Sequence, residues 1–237
     1  MKRVLAGVLV PVMVMAVGGC SMLTDMVGTS RITKLVQGNI DAIYKGIYSP
    51  EYLDIVNDTE EQAEQDYRDA LDVEAEYFAY YWGILDADLE EQYEDLDADF
   101  RAELAQMYQE IYRHARYTVN DAVAQKDGSY TVQVYIEPMD IMEQAYELYD
   151  SGEYEPLNDF WNKYAGISLA DMSEDDYWAY THEYGRVLVK MVTDLIPNMG
   201  YLEQKSQAIQ VQEGSDGILR INEDDWSIFD DYILSYS

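Results

Sequence analysis

Apolar positions recur with two different periods along this chain. In "TSRITKLVQGNIDAIYKGIY" the residues Ile32, Leu35, Val36, Ile40 and Ile43 stand three or four apart, which predicts a helix. Pro50 marks a break, and "TEEQ" from Thr59 to Gln62 carries a capping-box signature. Ala63, Tyr67, Ala70, Leu71 and Phe78 continue one helical stripe until Gly83 interrupts it. Phe100, Leu104, Met107, Tyr108 and Ile111 form the next, on a helix predicted to start near Asp95 or Asp97. The period then falls to two. Tyr130, Val132, Val134 and Ile136 share one strand face, and Thr131, Gln133 and Tyr135 share the other. Asp127-Gly128 lies between two such runs, a hairpin signal.

Helical spacing returns at Ile141, Ala145, Leu148 and Tyr149. Residues 150–172, with Gly152, Pro156 and Gly166, read as irregular. Ser173 caps a long predicted helix with Tyr177, Tyr180, Tyr184, Val187, Leu188, Met191 and Leu195 along one side, stopped by Pro197 and Gly200. A second hairpin follows, turning at Asp216-Gly217, and a short helix from Asp224 or Asp225 closes the chain. The expected fold class is α+β: helices packed on an antiparallel sheet made of two hairpins, Tyr117–Ile136 and Gln207–Ile221, with a helical insertion over 139–204 between them.

The first 19 residues follow another logic. Lys2 and Arg3 precede an apolar run from Val4 to Val17, and Gly18-Gly19 leads to Cys20, the single cysteine. This is the layout of a secretory signal peptide, too short for a membrane span of about 20 residues. "VGGC" (Val17 to Cys20) resembles the lipobox of bacterial lipoproteins. That resemblance implies cleavage between Gly19 and Cys20, lipidation of the Cys20 sulfur, and attachment to the outer face of the cell membrane. Two or more acyl chains anchor stably where one does not. The expected division is a signal peptide over 1–19, a lipidated tether over 20–30 and a single extracytoplasmic α+β domain over 31–237. The tether, about 11 residues, reaches at most about 35–40 Å.

Charge narrows the partners. Removing residues 1–19 leaves 47 acidic side chains against 13 basic ones. Phosphate contacts need Lys and Arg, so nucleic acid is excluded as a partner. Residues 58–99 hold 17 Asp and Glu against Arg68 alone, while Arg31, Lys34 and Lys45 cluster near the anchor. This predicts a basic end towards the bilayer and an acidic part away from it. It also predicts carboxylates held above their ordinary pKa by like-charged neighbours, so that stability rises as pH falls from neutral.

Candidate chemistry is sparse. His114 and His182 both fall in predicted helices, no H-E-x-x-H exists, and no metal site or cofactor is expected. "DADLEEQYEDLDAD" repeats carboxylates closely but lacks the glycine and spacing of a calcium loop. Neither a Ser-His-Asp order nor a phosphate-cradling glycine loop stands out, so no catalytic residue is assigned. The 23 tyrosines and four tryptophans are the distinctive chemistry, clustered at "YFAYYW" and "YWAYTHEY". Tyr and Trp pair a broad apolar face with a polar tip, which suits a core edge, a peptide or a sugar. A ligand site, if built from them, is expected to use Trp82, Tyr135, Trp178 and His182.

"LDADFRAELAQMYQEIYRHARYTVNDAVAQKDGSYTVQVYIEPMDI" and the late "IQVQEGSDGILRI" resemble a loose group of extracytoplasmic lipoproteins from Gram-positive bacteria, with cystatin-like or NTF2-like domains of unknown function. Members show a helix, a strand pair and a closing "DG.W.I" hairpin; here Leu219 takes the tryptophan place. The resemblance implies a fold and no catalytic residues. The resulting expectation is a lipid-anchored, non-enzymatic domain that binds a protein, peptide or glycan partner. The alternatives are a membrane-anchored hydrolase of cell-wall or dietary polymer, or a solute-binding component of a transporter.

Overall fold

The structure is a computed structural model and describes residues 23–86, 91–215 and 217–236. Cys20 and the Gly19–Cys20 cleavage position lie outside the described residues. Among the described residues eight α-helices and five strands follow in the order α1 (Leu23–Lys45), α2 (Pro50–Val56), α3 (Glu60–Tyr81), α4 (Ala98–Tyr112), β1 (Arg116–Val119), β2 (Val123–Ala124), β3 (Tyr130–Glu137), α5 (Ile141–Ser151), α6 (Glu155–Lys163), α7 (Glu174–Leu195), β4 (Lys205–Glu213), β5 (Leu219–Ile221) and α8 (Glu223–Ile233). The expected α+β class and both hairpins are present.

The residues group into two compact units. The first takes the chain up to Ala70, Tyr112–Pro138 and Tyr201–Leu234; the second takes Leu71–Ile111, Met139–Gly200 and the last residues from Ser235. Each unit is assembled from separate stretches, so no linker marks the division in the sequence. Helix α1 already begins at Leu23, so residues 23–30, assigned above to the tether, are helical.

In the first unit β3 is the central strand. β1 and β2 pair antiparallel with one edge of it, and β4 pairs with the other from Tyr130↔Val211 to Ile136↔Lys205. β5 completes the sheet against β4. Val132, Val134 and Ile136 have no exposed surface, while Tyr135 is 37% exposed, as the alternation predicts. The turn at Gly128 needs its positive φ of 88°. The Asp127 carboxylate accepts from the Ser129 hydroxyl at 2.7 Å and from its N–H at 3.0 Å.

Helix α1 buries Ile32, Leu35, Val36 and Ile40 almost completely. Tyr44, one turn beyond Ile40, takes the core position expected of Ile43, which is only half-buried. Its ring lies 5.8 Å from Phe229 and 6.4 Å from Trp226, both on α8. Its hydroxyl donates to the Asp230 carboxylate at 2.5 Å, and both residues are buried. The phenol thus supplies a partner to a carboxylate that burial would otherwise penalise. Helix α2 was not anticipated because seven residues show no periodicity. Local chemistry makes it: Ser49 Oγ accepts the Tyr52 N–H at 3.1 Å, and Pro50 occupies the first turn, where its missing N–H costs nothing.

The second unit is built from helices. The irregular stretch expected over 150–172 contains α6, in which Pro156 sits in the first turn and Leu157 and Phe160 are buried. Pro156 reads as a breaker in sequence but is tolerated in an initial turn. Ser173 caps α7 as expected, with its Oγ accepting the Asp176 N–H at 3.2 Å. The buried side of α7 is rotated from the expected stripe and runs through Thr181, His182, Tyr184, Gly185, Leu188, Met191 and Val192.

Crowding of carboxylates on α3 is relieved locally. Gln62 and Gln65 donate to Asp66 and Asp69 at 2.8 and 2.7 Å, and Arg68 donates to Glu64 at 2.9 Å. The Glu76 carboxyl is held above its ordinary range, first by burial and second by Glu94. Burial rather than mutual repulsion is therefore the leading cause there. Among the described residues no helix is long and apolar enough to cross a membrane.

Two helical glycines receive aromatic rings. A Cβ on Gly38 of α1 would fall on the Tyr52 ring, and one on Gly185 of α7 would fall on the Phe100 ring. Overpacking of this kind costs about 1–3 kcal/mol. Gly38→Ala and Gly185→Ala should each lower the free energy of unfolding by that amount in urea titrations, despite alanine's better helix propensity. A gain in stability would show that the rings yield freely. Tyr44→Phe leaves Asp230 without the phenolic donor and should cost about 1–3 kcal/mol in the same assay.

Candidate functional site

The expected site residues belong to different units. Tyr135 lies on the exposed face of β3 in the first unit. Trp82, Trp178 and His182 belong to the second. His114 is not helical; it occupies the turn after α4, and its carbonyl accepts the Tyr201 hydroxyl at 2.8 Å.

His182 is buried on α7, with its ring centroid 5.6 Å from Phe100 and 6.0 Å from Trp178. Its Nε2 accepts the backbone N–H of Asp97 at 3.1 Å, and Nδ1 faces the Asp97 carboxylate at 3.3 Å. An acceptor at Nε2 must be unprotonated, so the geometry calls for the neutral ring with its proton on Nδ1. Burial pushes the imidazole pKa down; Asp97 opposes this and Arg186 reinforces it. Both ring nitrogens are thus occupied in holding the chain just before α4, an arrangement suited to structure and not to proton transfer.

Trp82 has a different setting. It follows the last turn of α3, is 7% exposed, and lies 5.6 Å from Tyr81 and 5.4 Å from Tyr149 by ring centroids. Its carbonyl accepts the Tyr184 hydroxyl at 3.1 Å, and Tyr149 and Tyr184 meet hydroxyl to hydroxyl at 3.4 Å. Burial pushes the Tyr184 phenol well above its ordinary pKa, so it remains a donor. Tyr184 also packs at 5.4 Å against Trp161 of α6, which is 41% exposed. The result is a linked row, Trp161, Tyr184, Tyr149, Trp82 and Tyr81, joined by ring contacts except between Tyr184 and Tyr149, whose hydroxyls meet. The Trp82 indole N–H, inside that row, has no acceptor among the described residues. Leaving a buried donor unpaired costs about 1–3 kcal/mol.

A second set of rings adjoins α6 and α7. Phe160 lies 5.1 Å from Tyr180, and Tyr164 stands edge-on to Tyr180 at 4.8 Å. Glu183 accepts from Lys163 at 2.5 Å and from the Tyr164 hydroxyl at 2.8 Å, and its carboxyl is held below its ordinary range by these donors despite burial. Among the described residues no group of three or more His, Cys, Asp or Glu side chains is placed to hold a metal ion. Part of the acidic run 86–99 lies outside the described residues. What the site can do is stack on flat apolar faces and donate hydrogen bonds.

No family model matches the sequence, and no curated protein does. One solved structure is similar: that of "a putative lipoprotein (ycdA) from Bacillus subtilis subsp. subtilis str. 168", with a TM-score of 0.57 at 10% identity. The likeness covers 90% of this chain and 59% of that one, so this chain spans about three-fifths of its neighbour's length. At that identity the likeness is one of fold.

Sequence reasoning singled out Trp82 but missed its neighbours Tyr149, Tyr184 and Trp161. The helical spacing of Ala145 with Tyr149 and of Tyr180 with Tyr184 was the available signal. Which stripes meet depends on packing between helices distant in sequence.

The lowered pKa of His182 has a definite sign. Its stabilising effect is complete above the unfolded value of about 6.5 and is lost as pH falls towards the folded value. Glu76, with its raised pKa, acts in the opposite sense. Comparing variants separates the two: between pH 7.5 and 5.5 the wild-type melting midpoint should fall further than that of His182→Gln, whose side-chain oxygen can still accept the Asp97 N–H. Equal shifts would assign the acid response to other groups.

Proposed function

We propose that the protein is exported and held at the outer face of the cell membrane by lipid on Cys20, and that its folded part is a non-enzymatic binding module. The sequence "VGGC" after a basic start and an apolar run carries this reading. The fold likeness to a protein named as a lipoprotein supports it. So does the helices-on-sheet architecture, which agrees with the resemblance to cystatin-like or NTF2-like domains of extracytoplasmic lipoproteins. The binding role is supported by the exposed Trp161 and Tyr81, which belong to a row of rings. The arrangement of His182 favours a module over a hydrolase, because its Nε2 accepts the Asp97 backbone N–H and its Nδ1 faces the Asp97 carboxylate.

Metabolic labelling with a radioactive fatty acid tests the anchor. The wild type should incorporate label and partition into detergent, and Cys20→Ser should lose the label and either leave the membrane fraction or remain unprocessed. Label that persists in Cys20→Ser would overturn the assignment.

A further inference from the structure

We propose that the ring row of the second unit binds the sugar rings of a neutral polysaccharide. The inference rests on the binding-module reading above and gives that site a ligand class. Three observations define what the ligand must supply.

The first is the Trp82 indole N–H, buried and without an acceptor among the described residues, on a ring packed against Tyr81 and Tyr149. Tyr81, in ring contact with that indole, is 40% exposed, which puts this end of the row at the surface. The second is α5, which presents Glu143, Tyr146, Glu147 and Asp150 at helical spacing. Tyr146 is 54% exposed and stands one helical turn before Tyr149, a member of the ring row. A tyrosine face bracketed by carboxylates stacks on apolar C–H groups and accepts hydrogen bonds from hydroxyls. The third is charge: the second unit carries 26 Asp and Glu against four Lys and Arg. That field repels any anionic ligand.

A neutral pyranose chain meets all three demands. Its hydroxyl oxygens accept from the indole, its hydroxyl protons reach the carboxylates, and its ring faces stack on Tyr146 and Trp161. A proline-rich peptide would supply the acceptor and the apolar face but has few protons for the carboxylates. An organic cation would satisfy the carboxylates and the π-faces but would meet the N–H donor of Trp82 with like polarity. An extended peptide adding to a sheet needs a strand edge, and the regular elements of this unit are helices.

The test is calorimetric titration of the full chain carrying Cys20→Ser, with cellohexaose and chitohexaose as neutral probes and polygalacturonate, spermine and deca-proline as controls. Saturable binding of at least one neutral hexaose is expected, with none of polygalacturonate. Tyr146→Ala and Trp161→Ala should weaken it about tenfold each with unchanged circular dichroism, and Trp82→Phe, which keeps a ring but removes the N–H, should do the same. Failure of both hexaoses to bind, binding indifferent to these substitutions, or preferential binding of spermine or deca-proline would overturn the proposal. Because fatty-acid labelling is read on the wild-type chain, failure of the anchor and failure of the ligand class show up separately.

Discussion

The pairing of β3 with β4 is the contact on which the first unit depends. These strands are hydrogen-bonded neighbours over seven residue pairs, yet the whole Met139–Gly200 insertion separates them in sequence. Closing a loop of about 60 residues costs about 2 kcal/mol more than closing a hairpin of about five. The two ends of the insertion are therefore tied. Leu202 N–H donates to the Pro138 carbonyl at 2.8 Å on the sheet side, and Gly200 N–H donates to the Asp140 carboxylate at 2.8 Å on the other. With its ends fixed, the insertion can vary without disturbing the register. Val132, Val134 and Ile136 keep facing α1 and α8 only while that register holds, since a slip of one residue would turn them to solvent.

The two units solve packing by related means. In each, a helix carries a glycine where an aromatic ring from another helix lies against the backbone: Tyr52 on Gly38, and Phe100 on Gly185. Beyond that they diverge. The first buries aliphatic side chains on a sheet. The second has no sheet among its described residues and relies on tyrosine and tryptophan, whose polar tips bond to carbonyls and to one another while their faces exclude water. This explains how a chain so rich in tyrosine and carboxylate forms a core without disulfides. The phenols absorb polar demands inside, including that of the buried Asp230 carboxylate, and most other carboxylates remain at the surface, where amides and a few cations partner them.

Much of the fold was legible because periodicity is local. The alternation from Tyr130 to Ile136, the Asp127-Gly128 turn, the Ser173 cap and the stripe on α1 each follow from neighbouring residues. Short helices such as α2 and α6 were not legible, because seven or nine residues give too few repeats and proline signals an end as readily as a beginning. Tyr44 was passed over for Ile43 because hydropathy ranks isoleucine higher, although the next helical turn favours position 44. The division into two units was hidden for a deeper reason: α3 runs unbroken from Ala70 into Leu71, and composition does not change where spatial membership does. Of the site, the aromatic types were visible, but the meeting of Trp82 with Tyr149 and Tyr184 is set by tertiary packing.

The interleaving of the units bears on the order in which the fold is completed. The first unit is incomplete until α8 supplies Trp226 and Phe229, and within the second Tyr236 packs against Tyr77 and Tyr81. Tyr44 and Asp230 stand 186 positions apart in the sequence, and Tyr81 and Tyr236 stand 155 apart. Contacts of such separation must overcome loop-closure entropy before they return stability, so each unit closes late and at a rate set by chain topology.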